Sequence, residues 1–140
     1  MKRIILILLL LAIILTSCAK KETEKLNFCQ SLSKCEKADT EIKDSKTNDI
    51  YMLSILGIKD NFCAMELSAE EITTEQIKSF EKLSATCTQE WNSKFEKIAN
   101  FDESTCKKYV DSIMINLMNE IADKKSTICS GELRNKLLRK

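Results

Sequence analysis

The sequence predicts an all-α fold, a compact bundle of about four helices braced by disulfides, and three observations carry that expectation. The 140 residues contain no proline and only two glycines, Gly57 and Gly131, too few for the many corners of a β-sandwich or barrel. Apolar residues recur at steps of three and four along much of the chain, the period of one helical face. Six cysteines spread from Cys29 to Cys129 supply enough cross-links to brace such a bundle.

The first segment, residues 1–17, reads as a leader. Lys2 and Arg3 precede twelve uninterrupted apolar residues, Ile4 to Leu15. A helix of that length covers about 18 Å, well short of the ~30 Å hydrocarbon slab. A basic start, a short apolar core and small residues after it make a secretory signal peptide. Leu15-Thr16-Ser17-Cys18 resembles the lipobox of bacterial lipoproteins. The resemblance implies cleavage between Ser17 and Cys18, a diacylated Cys18 thiol and often an acylated new amino group. Two or more acyl chains hold a protein stably to a bilayer, where one holds marginally. Ala19 follows Cys18 where inner-membrane retention in that family uses aspartate, so the resemblance favours the outer membrane over the inner. Apart from this covalent lipid, no cofactor is expected.

Loss of the leader leaves 123 residues with 20 basic and 21 acidic side chains. A nearly neutral domain lacks the electrostatic footprint of nucleic-acid binding. Residues 18–25, beyond Cys18, are polar and read as a lipidated tether. Residues 26–140 form one cysteine-rich domain.

Within that domain, Phe28, Cys29, Leu32 and Cys35 space as a helix. Residues 38–48 are polar and read as a loop. Ile50, Leu53 and Leu56 start a second helical stretch that Gly57 ends or bends; Phe62, Cys63 and Leu67 continue it or open a new turn. Ile77, Phe80, Ser84, Cys87, Trp91, Phe95 and Ile98 make one stripe along about six turns, the clearest helix by period. Asp102 or Ser104 caps a fourth, with Cys106, Tyr109, Val110, Ile113, Leu117 and Ile121 on its stripe. The tail holds Cys129 and Gly131, then a short basic end with Leu133, Leu137 and Leu138 on one side. No segment reads as sustained alternation of the kind a half-buried strand requires.

With Cys18 lipidated, Cys29, Cys35, Cys63, Cys87, Cys106 and Cys129 are even in number, which in an exported chain points to disulfides. There is no Cys-x-x-Cys pair and no histidine, so metal and thiolate chemistry both lack their usual partners. In an up-down bundle, cysteines at equal heights pair as Cys29–Cys87, Cys35–Cys106 and Cys63–Cys129. Saposin-like and insect odorant-binding proteins are similar in cysteine number and helicity. Their close cysteine pairs stand elsewhere in the chain, and no function carries over.

Two glycines 74 positions apart build no phosphate-cradling loop, and the missing histidine removes the commonest general base. No catalytic residue and no metal ligand is assigned, and an enzyme is not expected. Phe80, Trp91, Phe95 and Tyr109 could line a pocket, but at helical spacing they read first as core. Glu70, Glu71 and Glu75 read as first-turn residues that favour a helix dipole. Arg134, Lys136, Arg139 and Lys140 read as a solvated helix end. The expected role is a lipoprotein of the cell envelope, a structural or interaction module facing an envelope or host protein. The alternative is a small carrier or periplasmic chaperone whose helical pocket holds a hydrophobic ligand.

Overall fold

The computed structural model describes residues 26–139. The all-α expectation fails: the core is a five-stranded antiparallel sheet in the order β1-β2-β3-β4-β5, with helices packed against it. The chain runs through α1 (26–34), β1 (Ala38–Lys43), β2 (Ile50–Lys59), β3 (Phe62–Glu71), a 3₁₀ segment (Glu75–Phe80) and β4 (Ser84–Glu90). It then forms α2 (Ser93–Glu96), a second 3₁₀ segment (Lys97–Asn100), α3 (Glu103–Ala122), β5 (Cys129–Ser130) and α4 (Glu132–Leu138).

The sheet forms because residues 50–71 and 84–90 alternate. In β3, Cys63, Met65, Leu67 and Ala69 are buried, while Ala64, Glu66, Ser68 and Glu70 are half-buried on the other face. In β2, Tyr51, Leu53 and Ile55 face the core. Ile50 and Met52 stand on the opposite face of β2 and blur its alternation in the sequence. The expected second helix is therefore β2, and the expected six-turn helix is the first 3₁₀ segment, β4, α2 and the second 3₁₀ segment in succession. Ser84, the polar member of the supposed stripe, stands on the half-exposed face, and Ala85 beside it is buried. Half of the expected loop at 38–48 is β1.

Asparagine and aspartate make the turns that glycine and proline would otherwise make. Asp60 and Asn61 join β2 to β3 with φ of 51° and 66°, and Asn48 lies at φ 61° before β2. Two consecutive left-handed residues suit a two-residue hairpin, and Asp and Asn tolerate that region better than most. The near absence of Gly and Pro was thus no argument against a meander.

Two helices follow the sequence. α1 buries Phe28, Cys29 and Leu32, and α3 buries Cys106, Val110, Ile113, Leu117 and Ile121. Asp102 caps α3, accepting the Thr105 N–H at 2.7 Å. These residues and the buried parity of the strands form one apolar core, to which Phe95, Ile98 and Leu133 add. The opposite sheet face mixes Ile50, Met52 and Ala64 with polar groups that pair with one another, Ser84 Oγ donating to Glu66 at 3.1 Å and Ser68 Oγ to Glu70 at 2.6 Å.

All six cysteines of the domain are bridged, but every expected partner is replaced. The bonds are Cys29–Cys106, Cys35–Cys63 and Cys87–Cys129. The expected pairs assumed a bundle in which Cys87 lies on a long helix. Cys87 instead lies on β4 directly opposite Cys129 of β5, with Cα atoms 4.0 Å apart. The other two bridges clamp α1, one to the first turn of α3 and one to β3.

Candidate functional site

Cys18, the expected lipid attachment point, lies outside the described residues. The cysteines of the domain are at most 6% exposed and all oxidised, so none offers a thiolate. Among the described residues, no three His, Cys, Asp or Glu side chains converge as metal ligands. Nor is any described helix long and apolar enough to cross a membrane.

Two buried charges hold structure together. Asp49 is 1% exposed. It accepts the Thr73 N–H at 2.7 Å, Thr73 Oγ1 at 2.9 Å and Thr74 N–H at 3.1 Å on one oxygen, and Thr74 Oγ1 at 2.8 Å on the other. Burial by itself would raise its pKa, but the Thr74 hydroxyl, the Thr73 N–H and their neighbours outweigh it and hold the carboxyl well below the usual range. The result ties the β1–β2 turn to the segment after β3.

Arg134 corrects the expectation of a solvated basic end. Its guanidinium is buried and donates to the carbonyls of Glu120 (2.8 Å), Ile121 (3.3 Å), Asp123 (3.0 Å) and Ser126 (2.6 Å). Glu120, Ile121 and the C-cap Asp123 are at the end of α3, whose last turn carries no basic residue of its own, and Ser126 lies in the loop just beyond it. Lys136 donates to the Ser79 carbonyl and lies 5.8 Å from the centre of the Phe80 ring.

The expected first-turn carboxylates are separated. Glu70 and Glu71 end β3, and Glu75 opens the first 3₁₀ segment. Hydrogen bonds from Ser68 and then Lys82 lower the Glu70 pKa, which marks it as a satisfied surface acid.

The remaining candidate is an open cleft of about 440 Å³ at the end of the sheet where β3 begins and β4 ends. Its apolar wall is Phe62, Phe95, Tyr109 and Ile128; Thr88, Gln89, Glu90, Asn92 and Lys94 supply the polar side. Two of its three rings are placed by a neighbour. Trp91 stacks on Phe95 with centroids 4.8 Å apart, and Phe101 meets Tyr109 edge-on at 5.3 Å. The Trp91 N–H bonds the Asn61 carbonyl at 2.9 Å, which fixes the hairpin turn against the cleft. Phe62 lies directly opposite Glu90 in the sheet. Burial pushes the Tyr109 phenol up, so it remains a hydroxyl donor at neutral pH.

Within the polar wall some groups are occupied and some are not. Asn92 caps α2, accepting the Lys94 N–H at 2.9 Å, and Thr88 Oγ1 lies 3.5 Å from the Ile128 carbonyl. The side chains of Gln89, Glu90 and Lys94 make no hydrogen bond or ion pair among the described residues. Phe62 is 44% exposed and Ile128 37%, large apolar surfaces left uncovered beside them.

Of the aromatic residues singled out in the sequence, Phe95 and Tyr109 line the cleft and Trp91 backs it, while Phe80 is buried elsewhere beneath Lys136. Phe62, Ile128, Gln89 and Glu90 were missed. Only the Asp60-Asn61 turn signal before Phe62 could have placed that ring at a strand start near the surface. Compared with known proteins, the chain matches no family model, no curated relative and no solved structure.

Proposed function

We propose that the protein is an interaction module of the bacterial cell envelope, held to the membrane by lipid on Cys18, with the β4–α3 cleft as its contact surface. One observation carries the reading. Exposed Phe62 and Ile128 share a braced cleft with polar side chains that have no partner among the described residues. An uncovered apolar centre with a polar rim is the composition of a protein contact site. Catalysis is not favoured, because the lining residues combine no nucleophile with an activating base. The carrier reading draws no support here: the volume suits a small ligand, but the cleft is open and would leave much of that ligand in water.

A photo-crosslinking amino acid at position 62, compared with one at Thr86 outside the cleft, tests the contact surface in living cells. A discrete adduct from position 62 and none from 86 is expected; equal adducts, or none from 62, would overturn the assignment. Cys18→Ser tests the tether separately. It should leave an uncleaved precursor that no longer partitions into detergent, whereas normal processing and attachment would refute the lipid anchor.

A further inference from the structure

The main-chain bonds of β4 leave part of one edge open. Ala69 N–H donates to the Leu83 carbonyl and Trp91 N–H to the Asn61 carbonyl. Odd-numbered residues of β4 therefore exchange bonds with β3, and even-numbered ones turn their N–H and C=O the other way. β5 covers that other edge only as far as Thr88. Thr86 lies opposite Ser130, and the Thr88 N–H donates to the Ile128 carbonyl at 3.0 Å. Beyond it, the Thr88 carbonyl and the Glu90 N–H bond nothing among the described residues, and the Glu90 carbonyl receives only the Asn92 side-chain amide, at 3.4 Å.

The cleft lies along this open edge. Gln89 and Glu90 are consecutive and so point to opposite faces of the sheet, yet both line it. Each face supplies apolar side chains, Phe95 and Tyr109 on the core side with Gln89, Phe62 and Ile128 on the other with Glu90. A free carbonyl and a free N–H flanking one strand residue match the N–H and C=O of a single residue in an added strand. The outer edge of β1 also lacks a partner strand, but its outward-facing residues are Asp39, Glu41 and Lys43. Charges at such positions keep edge strands from pairing.

Resting on the contact surface proposed above, we infer that its occupant is an extended segment of another polypeptide, paired to the β4 edge at Thr88 and Glu90. Successive apolar side chains of that segment fall to opposite faces, one against Phe95 and Tyr109, the next against Phe62 and Ile128.

The experiment uses the full lipidated chain in detergent micelles, panned against a phage library of short linear peptides; an enriched peptide is then synthesised and its affinity measured. Glu90→Pro removes the edge N–H, which bonds nothing within the described fold, and should weaken binding by about tenfold or more. Glu90→Gln keeps that N–H and removes the charge, and should bind within about twofold of the parent. Hydrogen exchange needs no variant: the peptide should slow exchange at the Glu90 amide by about tenfold and leave the Glu41 amide on the β1 edge unchanged. No enriched peptide, binding indifferent to Glu90→Pro, equal losses from Pro and Gln, or an unprotected Glu90 amide would each overturn the inference. The position-62 crosslinker separates it from the broader reading. Where position 62 yields an adduct with another protein but these tests fail, the contact surface stands and strand pairing falls. An adduct joining two copies of this chain assigns the edge to a second copy and overturns the inference, and no adduct at all refutes both.

Discussion

Asp49 shows how one side chain can hold two loops. Its carboxylate accepts from both the backbone and the hydroxyls of Thr73 and Thr74, and Asp49→Ala would strand those donors in a buried site. A loss of about 3 kcal/mol is expected from urea unfolding. The pH dependence follows from the lowered pKa. A depressed carboxyl contributes its stability above the unfolded value of about 3.9 and loses it as pH falls toward the folded value. The urea midpoint should therefore drop below about pH 4, and Asp49→Asn, which has no charge to lose, should flatten that limb. Gly131 is constrained differently. Its φ is +121° and an added Cβ would lie 2.8 Å from the Ser84 carbonyl oxygen and 3.0 Å from the Ala85 Cα. Gly131→Ala should cost about 2 kcal/mol, read by the same denaturation, because both the dihedral and the neighbouring backbone resist it.

The helices and strands differ in how plainly they can be read. α3 depends on a cap at each end, Asp102 at its start and the distant Arg134 at its finish. Arg134→Met should keep the packing of the aliphatic stem but free four carbonyl acceptors. The expected result is a loss of about 2 kcal/mol, with faster amide exchange concentrated in the last turn of α3. Asp102 is recognisable in the sequence as a cap before a helical stripe, and it caps α3. Arg134 is not recognisable, because its acceptors lie 8 to 14 residues away and only the fold brings them together. The strands were misread for a local reason. Cys63, Met65, Leu67 and Ala69 do alternate with Ala64, Glu66, Ser68 and Glu70, but a three-four stripe can be threaded through the surrounding apolar residues as well. Short apolar runs satisfy both periods, and hydrogen bonding to neighbouring strands decides between them.

For the whole molecule the disulfides are expected to supply a large share of the stability. Their ends are 77, 28 and 42 residues apart, and loop-closure entropy gives each about 3.5 to 4.5 kcal/mol if they act independently. Set against a typical total of about 5–15 kcal/mol, that share is large enough that the reduced protein should lose its cooperative thermal transition. A reduced sample melting within a few degrees of the oxidised one would show that the bridges are not the braces. Non-reducing peptide mapping should recover Cys29–Cys106, Cys35–Cys63 and Cys87–Cys129; any of the bundle-derived pairs in their place would contradict the sheet.

The amino-acid sequence alone determined what depends on local order. The helical character of α1 and α3, the Asp102 cap and the near-neutral charge of the domain follow from neighbouring residues or from simple counts. Tertiary structure decided the rest. Whether residues 50–71 and 84–90 were strand or helix depended on partners far along the chain, because an isolated strand leaves its backbone groups unpaired. The disulfide pairs followed from that choice, since a bond between distant cysteines needs their Cα atoms within a few ångströms, and only the sheet places Cys87 opposite Cys129. The cleft has the same origin. Phe62, Glu90, Tyr109 and Ile128 come from four separate stretches, each unremarkable alone, and they become one surface only where β3, β4, α3 and the approach to β5 converge.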